Sequence, residues 1–317
     1  MEFKEVANGD VVLRVATEGT GPVLLCVHGW PELWYSWRHQ IAHFAELGYT
    51  VAAMDVRGYG GSSKPAPIAA YSMKNLSRDV AAVIRDLSDN PVVLLGHDWG
   101  APIVWNTALL YPDLVKAVAG LSVPYVPGRD TAFIDIAEQL YTDRFFYQIY
   151  FQQEGVAETE LEADVSASLR KIYYAISGDA PTDTWLIEKP RHSPLLEGMI
   201  DPDPFPKWLT AADIQTYSDA FERGGFRGPL NRYRAQRIDV KDLVEIRGQT
   251  IKQPTCFIGG EKDAARHFMP GYDLYANVGS ACDDFRGSTI IGGVGHWVQQ
   301  EAPTETNVAL ENFLDSL

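Results

Sequence analysis

Val92-Val93-Leu94-Leu95-Gly96-His97-Asp98-Trp99-Gly100-Ala101-Pro102-Ile103-Val104-Trp105 decides how the rest of the chain is read. Its four leading apolar residues suit a strand covered on both faces, and the apolar stretch after Gly100 suits a helix. Between them, two glycines flank a central residue at the spacing of a nucleophile elbow, a turn so tight that only small neighbours let one side chain stand clear. That side chain is an aspartate rather than a serine. The first free N–H groups of the following helix, and the positive end of its dipole, would face Asp98 and favour negative charge there. The stretch predicts a carboxylate nucleophile. Helix capping by the same aspartate is the plainer reading of the turn alone. Partners elsewhere in the chain decide against it.

Towards the N-terminus, Pro22 to Val27 is another continuous apolar run, and it ends in His28-Gly29-Trp30-Pro31-Glu32. A helix from about Trp37 to Leu47, a stop at Gly48, a buried strand from Thr50 to Met54 and a helix from Met73 to Leu87 lead up to the elbow. This alternation argues for a doubly wound, mostly parallel α/β sheet with right-handed crossovers. Val11 to Val15 alternates like one arm of an N-terminal hairpin. The loop Asp55-Val56-Arg57-Gly58-Tyr59-Gly60-Gly61-Ser62-Ser63 does not have the strand, GxGxxG, helix order of a dinucleotide site. It belongs instead at the carboxyl edge of the sheet, the edge on which Asp98 lies and where ligands of open α/β sheets bind.

Towards the C-terminus the alternation breaks after a strand at Ala117 to Leu121. From about Arg129 to Ile238 the pattern is helical and rich in aromatics, which reads as an inserted lid. Strand patterns return at Pro254 to Gly259 and, as a second buried strand, at Ser288 to Ile291, and a final amphipathic helix runs from about Glu305 to Leu317. The expected division is a core of residues 1–128 and 246–317 with a helical lid at 129–245.

Bulk properties allow an enzyme of this kind. The 317 residues can bury a full core, and 42 acidic against 27 basic residues give a net charge of −15 that repels phosphate backbones and anionic membranes. Neither nucleic acid nor a membrane is an expected partner. Cys26, Cys256 and Cys282 form no CxxC pair, and the first two lie in strand-like runs, as small core residues of a reducing compartment do. No signal peptide or membrane span is recognisable, so a cytoplasmic protein is expected. A homodimer is compatible with this reading.

A carboxylate nucleophile needs a base to activate water and an acid to orient the base. Ile290-Ile291-Gly292-Gly293-Val294-Gly295-His296-Trp297 places a histidine in a glycine-rich loop after a strand. The loop after Phe257-Ile258 offers Glu261 and Asp263, of which Asp263 is the better candidate. The chain order nucleophile, acid, histidine is that of α/β-hydrolases.

Five stretches together now carry a family resemblance: His28-Gly29-Trp30-Pro31-Glu32, Arg57-Gly58-Tyr59-Gly60, the elbow, Gly228-Pro229-Leu230-Asn231-Arg232-Tyr233 and Gly295-His296-Trp297. In register from about Val23 to Trp297, they resemble the α/β-hydrolase-fold epoxide hydrolases. The resemblance implies that fold with a lid, Asp98 as nucleophile, His296 as base, Asp263 as its partner, and Tyr147 and Tyr233 as the lid tyrosines that hold the epoxide oxygen. Arg232 is a departure, since the family often carries an aromatic there, and it bears on pocket shape.

Physical chemistry fits those roles. The ring oxygen of an epoxide leaves as a strongly basic alkoxide, and tyrosines, with an ordinary pKa of ~10, stay protonated at neutral pH yet donate readily as charge develops. An ester on aspartate, unlike an ether on serine, is then cleaved at its own carbonyl carbon, with the backbone N–H groups of Trp30 and Trp99 holding the oxyanion. His28, Pro31, Glu32 and His97 are read as supports of the loop and elbow, and Trp34, Trp99, Tyr150 and Trp297 as pocket walls for an apolar epoxide. The expected product is a vicinal diol, formed with water and with neither cofactor nor metal. The competing readings are a haloalkane-type dehalogenase with the same aspartate and histidine, which has no need of the tyrosines, and a non-catalytic ligand-binding protein on this fold.

Overall fold

The computed structural model describes residues 1–181, 184–185 and 188–317. Eight strands form one sheet: β1 (Glu2–Asn8), β2 (Val11–Glu18), β3 (Val23–Val27), β4 (Thr50–Met54), β5 (Val92–His97), β6 (Val115–Leu121), β7 (Ile251–Gly260) and β8 (Cys282–Ile291). Their order is β1-β2-β4-β3-β5-β6-β7-β8. The N-terminal hairpin joins this main sheet, pairing antiparallel through β2 to β4, and every later pairing is parallel. Because β3 lies between β4 and β5, the winding direction reverses there. The loops leaving β3 and β5 therefore open onto a common crevice at the carboxyl edge, the place where such sheets bind ligands.

Alternation along the strands builds a core on each face. Leu25 and Val27 of β3 join Ala52, Met54 and Leu94 against α2 (Met73–Leu87) and α3 (Gly100–Leu110). Leu24 and Cys26 turn the other way, with Val51, Ala53 and Leu95, against α1 (Arg38–Glu46) and the C-terminal helix (Pro303–Asp315). On α2 the buried Leu76, Val80, Val83 and Ile84 form one stripe, and each side chain contributes about 1.5–3 kcal/mol by leaving water. The strand expected at Ser288 to Ile291 is longer and is not buried: β8 is the last strand of the sheet, and apart from Ile291 its side chains are exposed or half-buried.

Between β6 and β7 the described residues form helices α4 (Phe133–Leu140), α5 (Tyr147–Tyr150), α6 (Val156–Ala163), α7 (Val165–Ala175), α8 (Ala211–Gly224), α9 (Arg227–Arg234) and α10 (Gln236–Asp242). After β8 come α11 (Val298–Glu301) and α12 (Pro303–Asp315). Polar bonds tie this helical segment to the segments that flank the sheet. Tyr35 donates to Asp213 of α8 at 2.9 Å, and the backbone N–H of Met73, first residue of α2, donates to Asp239 of α10 at 2.6 Å. No helix among the described residues is long and apolar enough to cross a membrane.

Candidate active site

Asp98 stands at the turn between β5 and α3 with φ of +50°, in the left-handed region that ordinary side chains rarely enter. The glycines beside it permit the turn. A Cβ on Gly96 would come within 2.5 Å of the Gly100 carbonyl oxygen, and one on Gly100 within 2.0 Å of the Val27 carbonyl oxygen. Small residues thus let α3 sit directly on β3 and β5.

The loop after β3 supplies the next partner. The backbone N–H of Trp30 donates to Asp98 Oδ1 at 2.7 Å. Gly29 makes this approach feasible, since a Cβ there would meet Oδ1 of Asp98 at 2.3 Å and the Trp99 nitrogen at 2.6 Å. The other carboxylate oxygen, Oδ2, lies 3.3 Å from Nε2 of His296. Nδ1 of His296 is 3.0 Å from both oxygens of Asp263. Asp263 also accepts from the Ala265 N–H and the Tyr275 hydroxyl, each at 2.8 Å. The three residues named from chain order are thus brought together, with the imidazole between two carboxylates.

Electrostatics follow from that placement. Burial pulls the His296 imidazole down, but Asp263 and then Asp98 more than offset it and hold the ring well above its usual value. For Asp263, burial pushes up and the His296 cation and its hydrogen bond pull further down, so it is held below the usual carboxylate range.

A second buried network supports the loop. Glu32 Oε2 accepts from the Gly29 N–H at 2.9 Å and lies 2.7 Å from Nδ1 of His97, while Oε1 accepts from Gln299 at 3.0 Å. Nε2 of His97 faces the backbone carbonyl of His296 at 2.8 Å, which only accepts, so that nitrogen carries a proton. Ser122 donates to the same carbonyl at 2.7 Å. His28 accepts the Val56 N–H at Nε2 and donates from Nδ1 to the Gly29 carbonyl, which makes it a neutral brace. Pro31 follows a cis peptide bond, and its carbonyl accepts from Tyr173.

Above Asp98 opens a cavity of about 670 Å³ lined mainly by apolar side chains, with Asp98, Trp99, Trp30, Tyr147, Tyr233 and His296 at its reactive end. The rings of Tyr147 and Tyr233, from α5 and α9, stand edge-to-face 5.8 Å apart. Burial above all, with the nearby Asp98 charge, pushes both phenols up, so both are protonated at neutral pH. No group of three or more side chains suited to hold a metal occurs among the described residues.

Three expected pocket walls lie elsewhere. Trp34 packs edge-on against Phe3 at the N-terminal strands, Tyr150 is drawn away by a 2.7 Å bond to Glu160, and Trp297 is fully buried with its indole N–H on the Tyr173 carbonyl. Trp185 and Phe268 line the cavity instead. Arg232 is buried, pairs with Asp239, donates to the Tyr71 carbonyl and stacks 4.9 Å over the Trp99 ring. It shapes the pocket through Trp99. Tyr275 and Ser122 were not foreseeable, because each touches the triad from a turn with no periodic pattern.

Residues 22–303 match the family model of the alpha/beta hydrolase fold. Epoxide hydrolase A of Mycobacterium tuberculosis is 39% identical over 318 residues, covering 98% of this chain and 97% of that protein. Among solved structures, an epoxide hydrolase from an endophytic Streptomyces superposes with a TM-score of 0.94 at 41% identity, covering 99% of this chain and 95% of that one. Epoxide hydrolase A from Mycobacterium thermoresistibile superposes with a TM-score of 0.92 at 39% identity over 99% and 98%. With the carboxylate elbow, the histidine and acid behind it and the two tyrosines before it, these likenesses show that the chain belongs to the epoxide hydrolases of the α/β-hydrolase fold.

Proposed function

We propose that the protein hydrolyses apolar epoxides to vicinal diols in two steps, through an ester on Asp98. The observation that carries this reading is the division of labour between the two oxygens of Asp98. Oδ1 is held by the Trp30 N–H at 2.7 Å, and Oδ2 lies 3.3 Å from Nε2 of His296, on a residue that lines the cavity. Oδ2 attacks one ring carbon in line with the breaking C–O bond. The ring oxygen takes a proton from Tyr147 or Tyr233, leaving a β-hydroxyalkyl ester and a phenolate.

Ester formation removes the Asp98 charge, one of the two that hold His296 protonated. The imidazolium then returns a proton to the phenolate and becomes a base. It deprotonates a water that attacks the ester carbonyl carbon, and the oxyanion develops on Oδ1, where the Trp30 N–H already sits and the Trp99 N–H is adjacent. Collapse breaks the bond between the carbonyl carbon and the former Oδ2. The diol leaves with that oxygen and takes the proton of the added hydroxyl, so the water oxygen stays in the Asp98 carboxylate and His296 is left as imidazolium held by Asp263.

We assign residues 129–245 as a lid that excludes water from this edge, and 1–128 with 246–317 as the core. The three unpaired cysteines support a reducing, cytoplasmic setting. Tyr147→Phe and Tyr233→Phe test the reaction class. Each removes one donor to the developing alkoxide and is expected to slow single-turnover ring opening by about 10²–10³-fold. Ester hydrolysis in the same variants should stay near wild type, and equal loss in both steps would contradict the assignment.

A further inference from the structure

We infer that Gln148 and Gln236 fix the direction of the Tyr147 hydroxyl proton, so that this hydroxyl accepts from the protein and donates only into the cavity. The inference rests on ring opening at Asp98 and adds two positioning residues to it. Both glutamines are buried, both line the cavity, and 88 positions separate them in the chain.

The direction follows from counting donors and acceptors. Nε2 of Gln236 lies 3.1 Å from the backbone carbonyl of Tyr233, which can only accept, so the amide group of Gln236, not its oxygen, faces that way. The same nitrogen lies 3.0 Å from Gln148, and its second proton requires an acceptor there, which is Oε1 of Gln148. The Gln148 amide nitrogen therefore has only one orientation left, towards the Tyr147 hydroxyl at 2.9 Å. An amide N–H₂ donates and does not accept. The Tyr147 oxygen must receive that bond, and its one proton is free for a ring oxygen in the cavity. Gln152 donates to the backbone carbonyls of Gln148 at 2.9 Å and of Tyr233 at 3.2 Å, which keeps α5 and the end of α9 in register for the relay.

Chemical consequences are specific to one step. As the proton passes to the ring oxygen, charge grows on the Tyr147 oxygen, and the Gln148 N–H is already in place to receive it. This opposes burial and the Asp98 charge, which both disfavour the phenolate. Ester hydrolysis involves no such charge on Tyr147 and is indifferent to the relay.

Near-isosteric substitutions reverse the logic without altering the packing. In Gln148→Glu the new carboxylate only accepts, so the Tyr147 proton is drawn towards it and away from the cavity. Single-turnover ring opening and ester hydrolysis are measured separately from about pH 7 to about pH 10, a span that carries even a carboxyl raised by burial into its ionised form. Gln148→Glu is expected to slow ring opening on the order of 100-fold, and Gln148→Leu, which only deletes the donor, about tenfold. Ester hydrolysis should change less than about threefold in either. In a Tyr147→Phe background neither substitution should slow ring opening further. Gln236→Glu offers a second route that leaves α5 untouched: it turns the Gln148 amide round and should exceed the loss in Gln236→Leu. If Gln148→Glu opens the ring as fast as Gln148→Leu, or if the losses persist in the Tyr147→Phe background, the relay is refuted. Absence of any epoxide adduct or diol with the unmodified enzyme would instead refute the underlying reaction.

Discussion

Replacing Gly100 by alanine puts a measurable strain on the elbow. The added Cβ would lie 2.0 Å from the carbonyl oxygen of Val27 and 2.6 Å from its carbon, both backbone atoms of β3. That strand is paired on one side to β4 and on the other to β5, so it cannot move aside alone. Ordinary contact begins at 3.4 Å, so α3 must separate from β3 by about 1.4 Å. Asp98 and Trp99 are carried on the α3 side of this gap, and Trp30 is carried on the β3 side. The 2.7 Å bond from the Trp30 N–H to Asp98 would open beyond hydrogen-bond range. Overpacking of this kind costs about 1–3 kcal/mol of stability, and loss of one oxyanion donor costs about 2.7–4 kcal/mol of activation free energy, or 10²–10³ in rate. Urea unfolding and single-turnover kinetics on the same preparation separate the two. A folded Gly100→Ala protein within about threefold of wild type in ester hydrolysis would show that the close approach of α3 does not set the oxyanion geometry.

Arg232→Gln takes the cation from the half-buried Asp239, whose carboxyl its surroundings already push up, and should cost about 1–3 kcal/mol in urea unfolding at neutral pH. The deficit should shrink as the pH falls and Asp239 takes up a proton; a constant deficit would mean that packing on Trp99 dominates. His296 makes a prediction with the opposite slope. Its folded value is raised above the ordinary 6.5, so its contribution to stability is fully present below about pH 6.5 and is lost as the pH rises through the raised value. The destabilisation of His296→Gln, from unfolding curves at a series of pH values, should therefore be largest near about pH 6 and smaller in alkali. A penalty that grows with pH would contradict the paired imidazolium.

Local pattern made much of this protein legible. The strand, elbow and helix around Asp98 are encoded within fourteen consecutive residues, and α2 runs from Met73 to Leu87 as its apolar spacing predicts. His296 and Asp263 were within reach because both follow strands in the chain order that the fold imposes. Facing was harder to read. Trp297 sits beside His296 in the chain, but its indole turns into the core to reach Tyr173, and Tyr150 is turned by Glu160, a bond that joins α5 to α6. Ser288 to Ile291 reads as a buried strand by composition, yet its position at the end of the sheet leaves it exposed. Tyr275 and the two glutamines escaped for the same reason: each matters through a contact whose partner is set by tertiary packing, and polar residues in helices and loops carry no period to mark them.

His296 is needed to break the covalent ester on Asp98 and not to form it. Intact-protein mass spectrometry of His296→Gln, exposed separately to apolar epoxides and to haloalkanes with Asp98→Asn as control, tests it most directly. A mass gain equal to the whole epoxide is expected to persist in His296→Gln and to be absent from Asp98→Asn. A folded His296→Gln protein that gains no mass from epoxides, or that gains an alkyl group without its halide from haloalkanes alone, would contradict it.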